Sequence, residues 1–498
     1  MKILLVYPKH PETFWSFKYA LPFIGKKAAF PPLGLLTVAA LLPKEWEKKL
    51  IDLNVTKLKN KDLEWVDLVF ISAMIVQKES VKEIVRKCKK YKVKTVAGGP
   101  LFTTGYGVEE FKDKIDHFIL NEAEITLPQF LKDLQNGTTK KVYISPEFPD
   151  LTKSPTPIFE LINFKDYSSM SIQYSRGCPF NCEFCDIIIL NGRMPRTKTK
   201  EQILKELETL YNQGWRGNVF FVDDNFIGHK VKLKEEILPA LIQWMERKNY
   251  PFSFNTEVSI NLADDEELMK LMAKAGFNTV FIGIETPNKK SLKECGKFQN
   301  INRDLISCIE KIHHHGLQVQ GGFIVGFDND KPSIFKRQIN FIQKSGIVTA
   351  MVGLLNAFPK TRLYQKLKKE GRLLKNTSGS NTSINFMPKM GAKILNRGYK
   401  KILKTIYSPK NYYARIKTFL KSYKPFKKKR IHFQFSRLKA FIKSIWLLGI
   451  IGKERWYYWR LLFWSLFRRP KLLPLAISLS IYGFHFRKIS EKYLSIRS

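Results

Sequence analysis

The fold is decided by a short loop, Ser175-Arg-Gly-Cys-Pro-Phe-Asn-Cys-Glu-Phe-Cys-Asp186. Within it, Cys178, Cys182 and Cys185 stand in a C-x3-C-x2-C spacing, so three of the chain's six cysteines fall within eight residues. Cysteine thiolates hold iron–sulfur clusters, and a cubane cluster has four iron atoms to ligate. Three cysteines leave one iron with an open coordination position. The loop therefore predicts a [4Fe–4S] site in preference to three ordinary loop cysteines.

The length and composition fit an intracellular globular protein of several domains. The chain has 498 residues, 44% of them apolar, which is enough for two or three domains with cores of their own. Six cysteines, half of them clustered, argue against a secreted disulfide framework and favour the reducing cytoplasm. Only five apolar residues follow Lys2 before Pro8, which is too short for a signal peptide and predicts a buried first strand.

Positive charge is concentrated near the carboxyl terminus. The formal net charge is +41, and residues 375–498 hold 29 Lys and Arg against the two acids Glu454 and Glu491. This last quarter of the chain therefore contributes +27 of the total. A basic partner surface is expected mainly there.

Residues 1–140 alternate short apolar runs with helical patterns, which predicts a doubly wound, Rossmann-like parallel sheet. Ligands of such sheets lie at the carboxyl ends of the strands. The candidate cofactor-binding residues at these ends are Ser72, Gly98, Gly99 and Glu122, in small or polar turns that let a bulky ligand approach the backbone. The alternative to a domain that binds such a bulky ligand is a flavodoxin-like domain that has a structural role or binds another ligand.

The next two regions are a linker and a second α/β domain. Residues 141–169 contain four prolines and predict an extended linker. Residues 170–374 resume the alternation with six strand–helix units, which predicts a partial (β/α)6 barrel with its chemistry at the carboxyl ends of the strands. The candidate binding residues at those ends are Asp223, Glu257, Gly283 and Glu285.

Residues 375–498 are basic and aromatic and predict a mainly helical region. Its longest uncharged run, Leu472 to Phe486, has 15 residues and is too short to span a bilayer. Peripheral contact at the inner membrane face is the favoured interpretation, because Lys and Arg would meet anionic headgroups while aromatic side chains enter the acyl boundary. A helical cap over the barrel and RNA binding are the alternatives, and nucleic acid is the least favoured partner.

The cysteine loop resembles the signature of the radical S-adenosylmethionine (SAM) superfamily, and Phe184 matches an aromatic residue common at that position. Further stretches resemble the cobalamin-binding-domain radical SAM family, the class B radical SAM methylases that include hopanoid C-2 methylase-like proteins: Phe14-Trp-Ser-Phe17, Phe30-Pro-Pro-Leu-Gly-Leu35, Ala97-Gly-Gly-Pro-Leu-Phe102, Arg196-Thr-Lys-Thr199, Phe220-Phe-Val-Asp-Asp-Asn-Phe226 and Gln320-Gly-Gly-Phe-Ile-Val-Gly-Phe-Asp328. The likeness covers about residues 1–375 and extends to the rest only in character.

The resemblance implies three cofactors and a reaction. SAM would bind the open iron, with the strand-end acids and glycines around it, and cobalamin would bind the first domain. The usual Asp-x-His-x-x-Gly segment is absent, since Pro8-Lys9-His10 follows the first strand, so no protein histidine is expected on cobalt.

The implied reaction is methylation of an unactivated carbon of a hydrophobic substrate, such as a hopanoid, an isoprenoid or another lipid, through a 5'-deoxyadenosyl radical and methylcobalamin. Electrons would come from a donor such as flavodoxin or ferredoxin. The alternatives are carbon bond formation or rearrangement without methyl transfer, and RNA modification.

Overall fold

The computed structural model describes residues 1–104, 106–374, 383–426 and 435–495. The basic run Lys427-Lys-Lys-Arg430 and the start of the predicted carboxyl-terminal region at residue 375 lie outside these ranges. The described part of the chain forms two parallel-sheet α/β domains followed by a helical region. The predicted fold class is confirmed.

The first domain is a six-stranded parallel sheet in the order β2-β1-β3-β4-β5-β6. Its strands are β1 Lys2–Tyr7, β2 Glu47–Asp52, β3 Leu68–Ser72, β4 Lys94–Gly98, β5 His117–Ile119 and β6 Val142–Tyr143. The strand order reverses between β1 and β3, and ligands of such sheets bind at this kind of switch point. Strand β6 lies beyond residue 140 and pairs with β5, so we propose that the first domain extends to Tyr143.

The second domain is a six-stranded parallel sheet whose strands follow chain order from β7 to β14. Its strands are β7 Ser169–Ile172, β10 Asn218–Phe221, β11 Ser253–Val258, β12 Phe277–Glu285, β13 Gln318–Val325 and β14 Ala350–Leu354. A short antiparallel pair, β8 Ser175–Arg176 and β9 Arg196–Thr197, encloses the cysteine loop. These six parallel strands are those expected for a partial barrel.

Helices separate the strands and build the carboxyl-terminal region. Those of the first domain are α1 Leu33–Leu41, α2 Asn60–Trp65, α3 Lys78–Lys90, α4 Pro100–Thr103, α5 Tyr106–Phe111 and α6 Ala123–Gln135. The barrel contributes α7 Ile187–Leu190, α8 Lys200–Asn212, α9 Lys230–Lys232, α10 Leu238–Arg247, α11 Glu266–Ala275, α12 Lys289–Glu294, α13 Leu305–His314, α14 Ile334–Ser345 and α15 Arg362–Lys369. The remaining helices are α16 Ala392–Ile406, α17 Pro409–Ser422, α18 Phe435–Ser444, α19 Arg455–Arg468 and α20 Leu473–Ser495, with a π-helical turn, Ile445–Ile450, continuing α18.

The carboxyl-terminal helices cover the open edge of the barrel sheet. Strand β14 is the last strand in the order, and α16 packs against α14 beside it. The Tyr399 hydroxyl donates to the Val352 carbonyl at 3.2 Å, and the Tyr407 hydroxyl donates to the Ala350 carbonyl. Unpaired strand edges invite pairing with other chains, so these side chains protect an edge that the incomplete barrel leaves open.

The amino-terminal segment packs on the last helix. Phe14 is buried, with its ring 5.8 Å from that of Phe486 and 5.4 Å from that of Tyr493. A ring nitrogen of His485, Nε2, lies 3.0 Å from the Phe14 carbonyl. Apart from Leu472, the run Leu472 to Phe486 therefore lies in α20, which buries one side against the rest of the protein. Within the described ranges, no helix has the length and apolar character that crossing a bilayer requires.

Candidate active site

The backbone of the cysteine loop requires glycine at its start. Gly177 has φ +98°, and a Cβ built on it would lie 2.7 Å from the Met194 carbonyl and 3.0 Å from that of Asn191. Both the left-handed conformation and the close approach exclude a larger residue. Gly177 therefore lets the chain turn directly into Cys178.

The three thiols of the loop are held largely out of water. Burial raises the pKa of Cys178, Cys182 and Cys185, while the Lys297 ammonium acts in the opposite direction on all three. The thiolate form that a cluster requires therefore depends on a bound cation. Three thiols in one loop, near a buried ammonium, fit a cluster held by three cysteines.

The described side chains were also compared with the donor groups that a single metal ion would need. Among the residues that the structure describes, no three His, Cys, Asp or Glu side chains are placed to hold a metal ion. The cluster assignment for the cysteines thus rests on their spacing within one loop.

Two consecutive carboxylates at the end of β10 hold the cysteine loop. Asp223 is buried and accepts hydrogen bonds from the backbone and the hydroxyl of Ser175, the latter at 2.6 Å. Asp224 accepts from the Gly177 backbone N–H at 2.8 Å. Burial raises the pKa of Asp223 to about 7, although its hydrogen bonds act in the opposite direction. Asp223, a predicted cofactor-binding residue, thus has protein donors on its carboxylate.

The end of β12 brings a charged pair to the cysteines. The Lys297 ammonium lies 2.8 Å from the Glu285 carboxylate, and both side chains are largely buried. Burial alone would lower the pKa of Lys297, but the Glu285 carboxylate and the Cys182 thiolate raise it, so the amine is charged. A Cβ on Gly283 would lie 2.8 Å from the Lys297 Nζ and closer still to the Glu285 carboxylate.

The backbone of Glu285 is itself unusual. Its φ is +61°, and the pairing of β12 with β13 shifts register between Gly283 and Glu285. A non-glycine residue in the left-handed region costs of order 1 kcal/mol or more and clusters at functional sites. The bulge turns the carboxylate toward Lys297.

Glu257, near the end of β11, is a carboxylate that has no hydrogen-bonding partner in the described part of the chain. Among the described side chains and backbone groups, none donates a hydrogen bond to it within bonding distance. Burial, followed by the nearby carboxylates of Asp224 and Asp223, raises the pKa of Glu257 to about 8, while Lys297 acts weakly in the opposite direction. This side chain is therefore available to a positively charged ligand.

Glu122, which the sequence predicts as a cofactor-binding residue, forms ion pairs that join the two domains. Its carboxylate oxygens lie 2.5 Å from Nη1 of Arg176 and 2.6 Å from Nη2 of Arg196. Arg176 also pairs with Glu124 at 2.8 Å. Because Arg176 lies in the cysteine loop, two residues before Cys178, this network fixes the carboxyl edge of the first domain against that loop.

The other predicted residues of the first domain lie at the same sheet edge. A Cβ on Gly98 would lie 2.7 Å from the Ile119 carbonyl, and one on Gly99 would lie 2.9 Å from the Ser72 hydroxyl. Neighbouring backbone within the domain already requires both glycines. Phe184 packs against Phe327, with ring centroids 6.2 Å apart, beside the cysteine loop.

Sequence reasoning missed several residues that contact this site. Lys297 follows Cys295 by two positions, but a single lysine in a loop gives no signal of its partner. No sequence pattern indicates that Gln299 or Arg176 belongs to this site either. Asp224 had a signal, because it directly follows Asp223 at a strand end.

Comparison with known proteins identifies both domains. Residues 27–131 match the B12 binding domain family, and residues 172–342 match the Radical SAM superfamily. Residues 361–497 match a domain of unknown function. A B12-binding domain followed by a radical SAM domain defines the class, which is that of cobalamin-dependent radical SAM enzymes.

Similar proteins indicate which reaction within this class the chain catalyses. The chain is 41% identical to an uncharacterized methyltransferase of Synechocystis sp., over 99% of this chain and 92% of that protein. It is 36% identical to the hopanoid C-2 methylase of Rhodopseudomonas palustris, over 75% of this chain and 71% of that protein. The chain belongs to the family of cobalamin-dependent radical SAM methyltransferases. Its cofactors are a [4Fe–4S] cluster, SAM and cobalamin.

Solved structures support the fold. The methyltransferase TsrM from Kitasatospora setae, with cobalamin and a [4Fe–4S] cluster bound, superimposes with a TM-score of 0.61 at 15% identity, covering 98% of this chain and 99% of that one. The cobalamin-dependent enzyme OxsB gives a TM-score of 0.62 at 16% identity, covering 99% of this chain and 79% of that one.

Proposed function

We propose that this methyltransferase acts on an unactivated carbon of a hydrophobic, lipid-like substrate. The observation that carries the proposal is an aromatic wall over the inner face of the barrel. The Trp15 ring lies 5.1 Å from that of Phe281, and the Phe30 ring lies 5.1 Å from that of Phe220. An apolar substrate gains most from such a wall.

The placement of these rings supports an open space rather than a closed core. Phe281 shares its face of β12 with Gly283, and a Cβ on Gly322 would lie 2.9 Å from the Phe281 ring. Trp15 contacts this inner face and remains 45% exposed. A Cβ on Gly353, on the same side of β14, would meet no atom within 4 Å. The amino-terminal segment thus covers a barrel mouth with room inside it.

Residues around the cluster suit SAM. Cys178, Cys182 and Cys185 are proposed as the cluster ligands, and Asp223 and Asp224 as residues that position their loop. The ammonium and carboxylate of SAM require opposite charges in the protein. Glu257 is proposed for the ammonium and Lys297, held by Glu285, for the carboxylate, with Gly283 leaving space beside the pair and Phe184 packing behind the loop.

The carboxyl edge of the first domain is proposed to hold cobalamin beside Ser72, Gly98 and Gly99, with Glu122 locking this edge to the barrel. We propose that no histidine ligates cobalt. His10 follows β1, and its Nε2 lies 3.0 Å from the Tyr7 hydroxyl. Burial lowers the pKa of His10 to about 4, so the ring is neutral. The bound cofactors supply the methyl group and the hydrogen-abstracting radical, and the chain's task is to hold both near one substrate carbon.

The relatives support a lipid substrate, because one of them is a hopanoid C-2 methylase. A membrane-dissolved substrate would reach the barrel from a lipid surface, and the basic, aromatic carboxyl-terminal region is proposed to contact that surface from the cytoplasmic side. Flavodoxin or ferredoxin is proposed as the electron donor.

The experiment is an anaerobic assay of the reconstituted protein with SAM, a reductant and a lipid extract. Each methyl transferred should yield one S-adenosylhomocysteine and one 5'-deoxyadenosine. Lipidomics of a deletion strain should show a lipid lighter by one methylene. The Cys182→Ala variant should lose both the cluster's visible absorption and SAM cleavage. Deoxyadenosine without S-adenosylhomocysteine would refute methyl transfer, and an accepted substrate that is RNA or a polar metabolite would refute the lipid proposal.

A further inference from the structure

Helices α18 and α19, with the π-turn between them, expose large apolar side chains to an unusual degree. Trp456 is 77% exposed and Phe467 79%, while Trp446 and Ile451 are each close to 60%. Single exposed apolar residues are ordinary, but a contiguous set marks an interaction surface. The hairpin face is defined here by Ile442, Trp446, Ile451, Trp456, Phe463 and Phe467.

The hairpin face is continuous across the turn. Ile442 and Trp446 are four residues apart on one helix, and Trp456, Phe463 and Phe467 recur at helical spacing on the other. Trp459 joins the two arms, since its indole N–H donates to the Gly449 carbonyl at 2.9 Å and its ring stacks on Phe463 at 5.7 Å. The two stripes therefore belong to one surface.

Exposed positive charge surrounds this surface. The side chains are those of Lys439, Lys453, Arg455, Arg460 and Arg468. The acids between residues 435 and 495 are Glu454 and Glu491. Glu454 is fully buried and paired with Arg487 at 2.6 Å, and Glu491 lies within 4 Å of Arg487 and Lys488. The hairpin face thus presents apolar rings within an unneutralised basic rim.

We propose that the hairpin face docks on an anionic phospholipid surface, with Trp456 and Phe467 entering the acyl boundary and the arginines meeting the headgroups. Aromatic and basic side chains alternating on one helical face are typical of interfacial segments. A second copy of the chain is a poorer occupant, because two faces of the same positive charge repel. The inference deepens the proposed lipid methylation and rests on it for its purpose, while its test does not depend on turnover.

The experiment is flotation of the full-length protein with vesicles. One set contains phosphatidylglycerol and phosphatidylcholine in equal parts, and the other contains phosphatidylcholine alone. We expect binding to the anionic set, weakened by salt. Trp456→Ser combined with Phe467→Ser should weaken it about tenfold or more, and Arg460→Gln combined with Arg468→Gln should weaken it and reduce its salt dependence.

Matched controls are exposed residues that do not belong to the hairpin face. Ile144, 55% exposed, is replaced by Ser, and Arg86, exposed on α3, is replaced by Gln. Neither should alter flotation. Circular dichroism of the aromatic variant should match the unmodified protein, since both rings are on the surface.

Three outcomes would overturn the docking proposal. They are unchanged flotation of the aromatic variant, equal binding of the unmodified protein to both vesicle sets, and a dimer or RNA complex that the aromatic variant abolishes while flotation persists. SAM cleavage measured without vesicles separates this result from the proposed function. If docking alone is wrong, the two SAM products still form in equal amounts with detergent-dispersed lipid.

Discussion

Replacing Glu122 by Gln should loosen the attachment of the first domain to the barrel. The carboxylate is 6% exposed and pairs with both Arg176 and Arg196. Removing one partner of a buried ion pair costs about 3–5 kcal/mol, because the other charge is left uncompensated. Arg176 keeps Glu124 at 2.8 Å, and Arg196 keeps the Pro149 carbonyl at 2.9 Å. We therefore expect the lower end, about 3 kcal/mol.

Urea unfolding followed by near-ultraviolet circular dichroism measures this loss. The matched control is Glu79→Gln, because Glu79 pairs with Lys82 at 2.9 Å on the surface, where a pair contributes about 1 kcal/mol or less. Methyl transfer should fall further than SAM cleavage, since only the former needs both domains in register. If the Glu122 variant loses no more stability than the Glu79 variant, the network does not hold the domains together.

The same network predicts a dependence on pH. Burial opposes ionisation of Glu124, but the Arg176 guanidinium outweighs it and holds the pKa of Glu124 below its ordinary 4.5. A carboxyl whose folded pKa is lowered stabilises the fold above its unfolded pKa. This contribution should be complete above about pH 4.5 and disappear as the pH falls through the lowered value.

Three further changes test the barrel. Asp223→Asn should weaken the hold on Ser175 and lower the iron retained per chain after desalting; full retention would contradict its role in positioning the loop. Burial, followed by Asp224 and Asp223, raises the pKa of Glu257 to about 8, and Lys297 acts weakly in the opposite direction. Because the folded protein then holds this proton more tightly than the unfolded chain does, the stability of the metal-free protein should fall as pH rises from about 4.5 to about 8. Glu257→Gln should flatten that slope in thermal melts, and an unchanged slope would refute the assignment. Trp15→Ala should lower transfer to the lipid without lowering deoxyadenosine formation, and an equal loss of both products would place Trp15 in SAM binding instead.

The sequence predicts most of the architecture because buried parallel strands are continuous apolar runs. The apolar run Leu68–Ser72, for example, is a strand over its whole length and is almost entirely buried. Strand β6 could not be predicted from the sequence, because Val142–Tyr143 is too short to show the alternating pattern of a strand. It is defined by its pairing with β5.

The sequence could not predict which basic side chains form ion pairs with the individual strand-end acids. Spacing alone predicts Cys178, Cys182 and Cys185 as cluster ligands, because all three lie in one loop. Strand-end acids such as Glu122 were expected at the proper edge, but the arginines that pair with it lie 54 and 74 residues later. Such pairs depend on how two domains meet, which local patterns do not encode.

The contact between Phe14 and the last helix also bears on how the protein is made. The hydrogen-bonded partner of the Phe14 carbonyl lies 471 residues later. At roughly 5–20 residues per second, a ribosome needs about 25–95 s to synthesise that stretch. During this time the aromatic amino-terminal segment lacks its final packing surface, so nascent chains should bind chaperones until translation ends. Truncation within α20 should therefore send newly made protein to aggregation or proteolysis even when both catalytic domains have been translated in full.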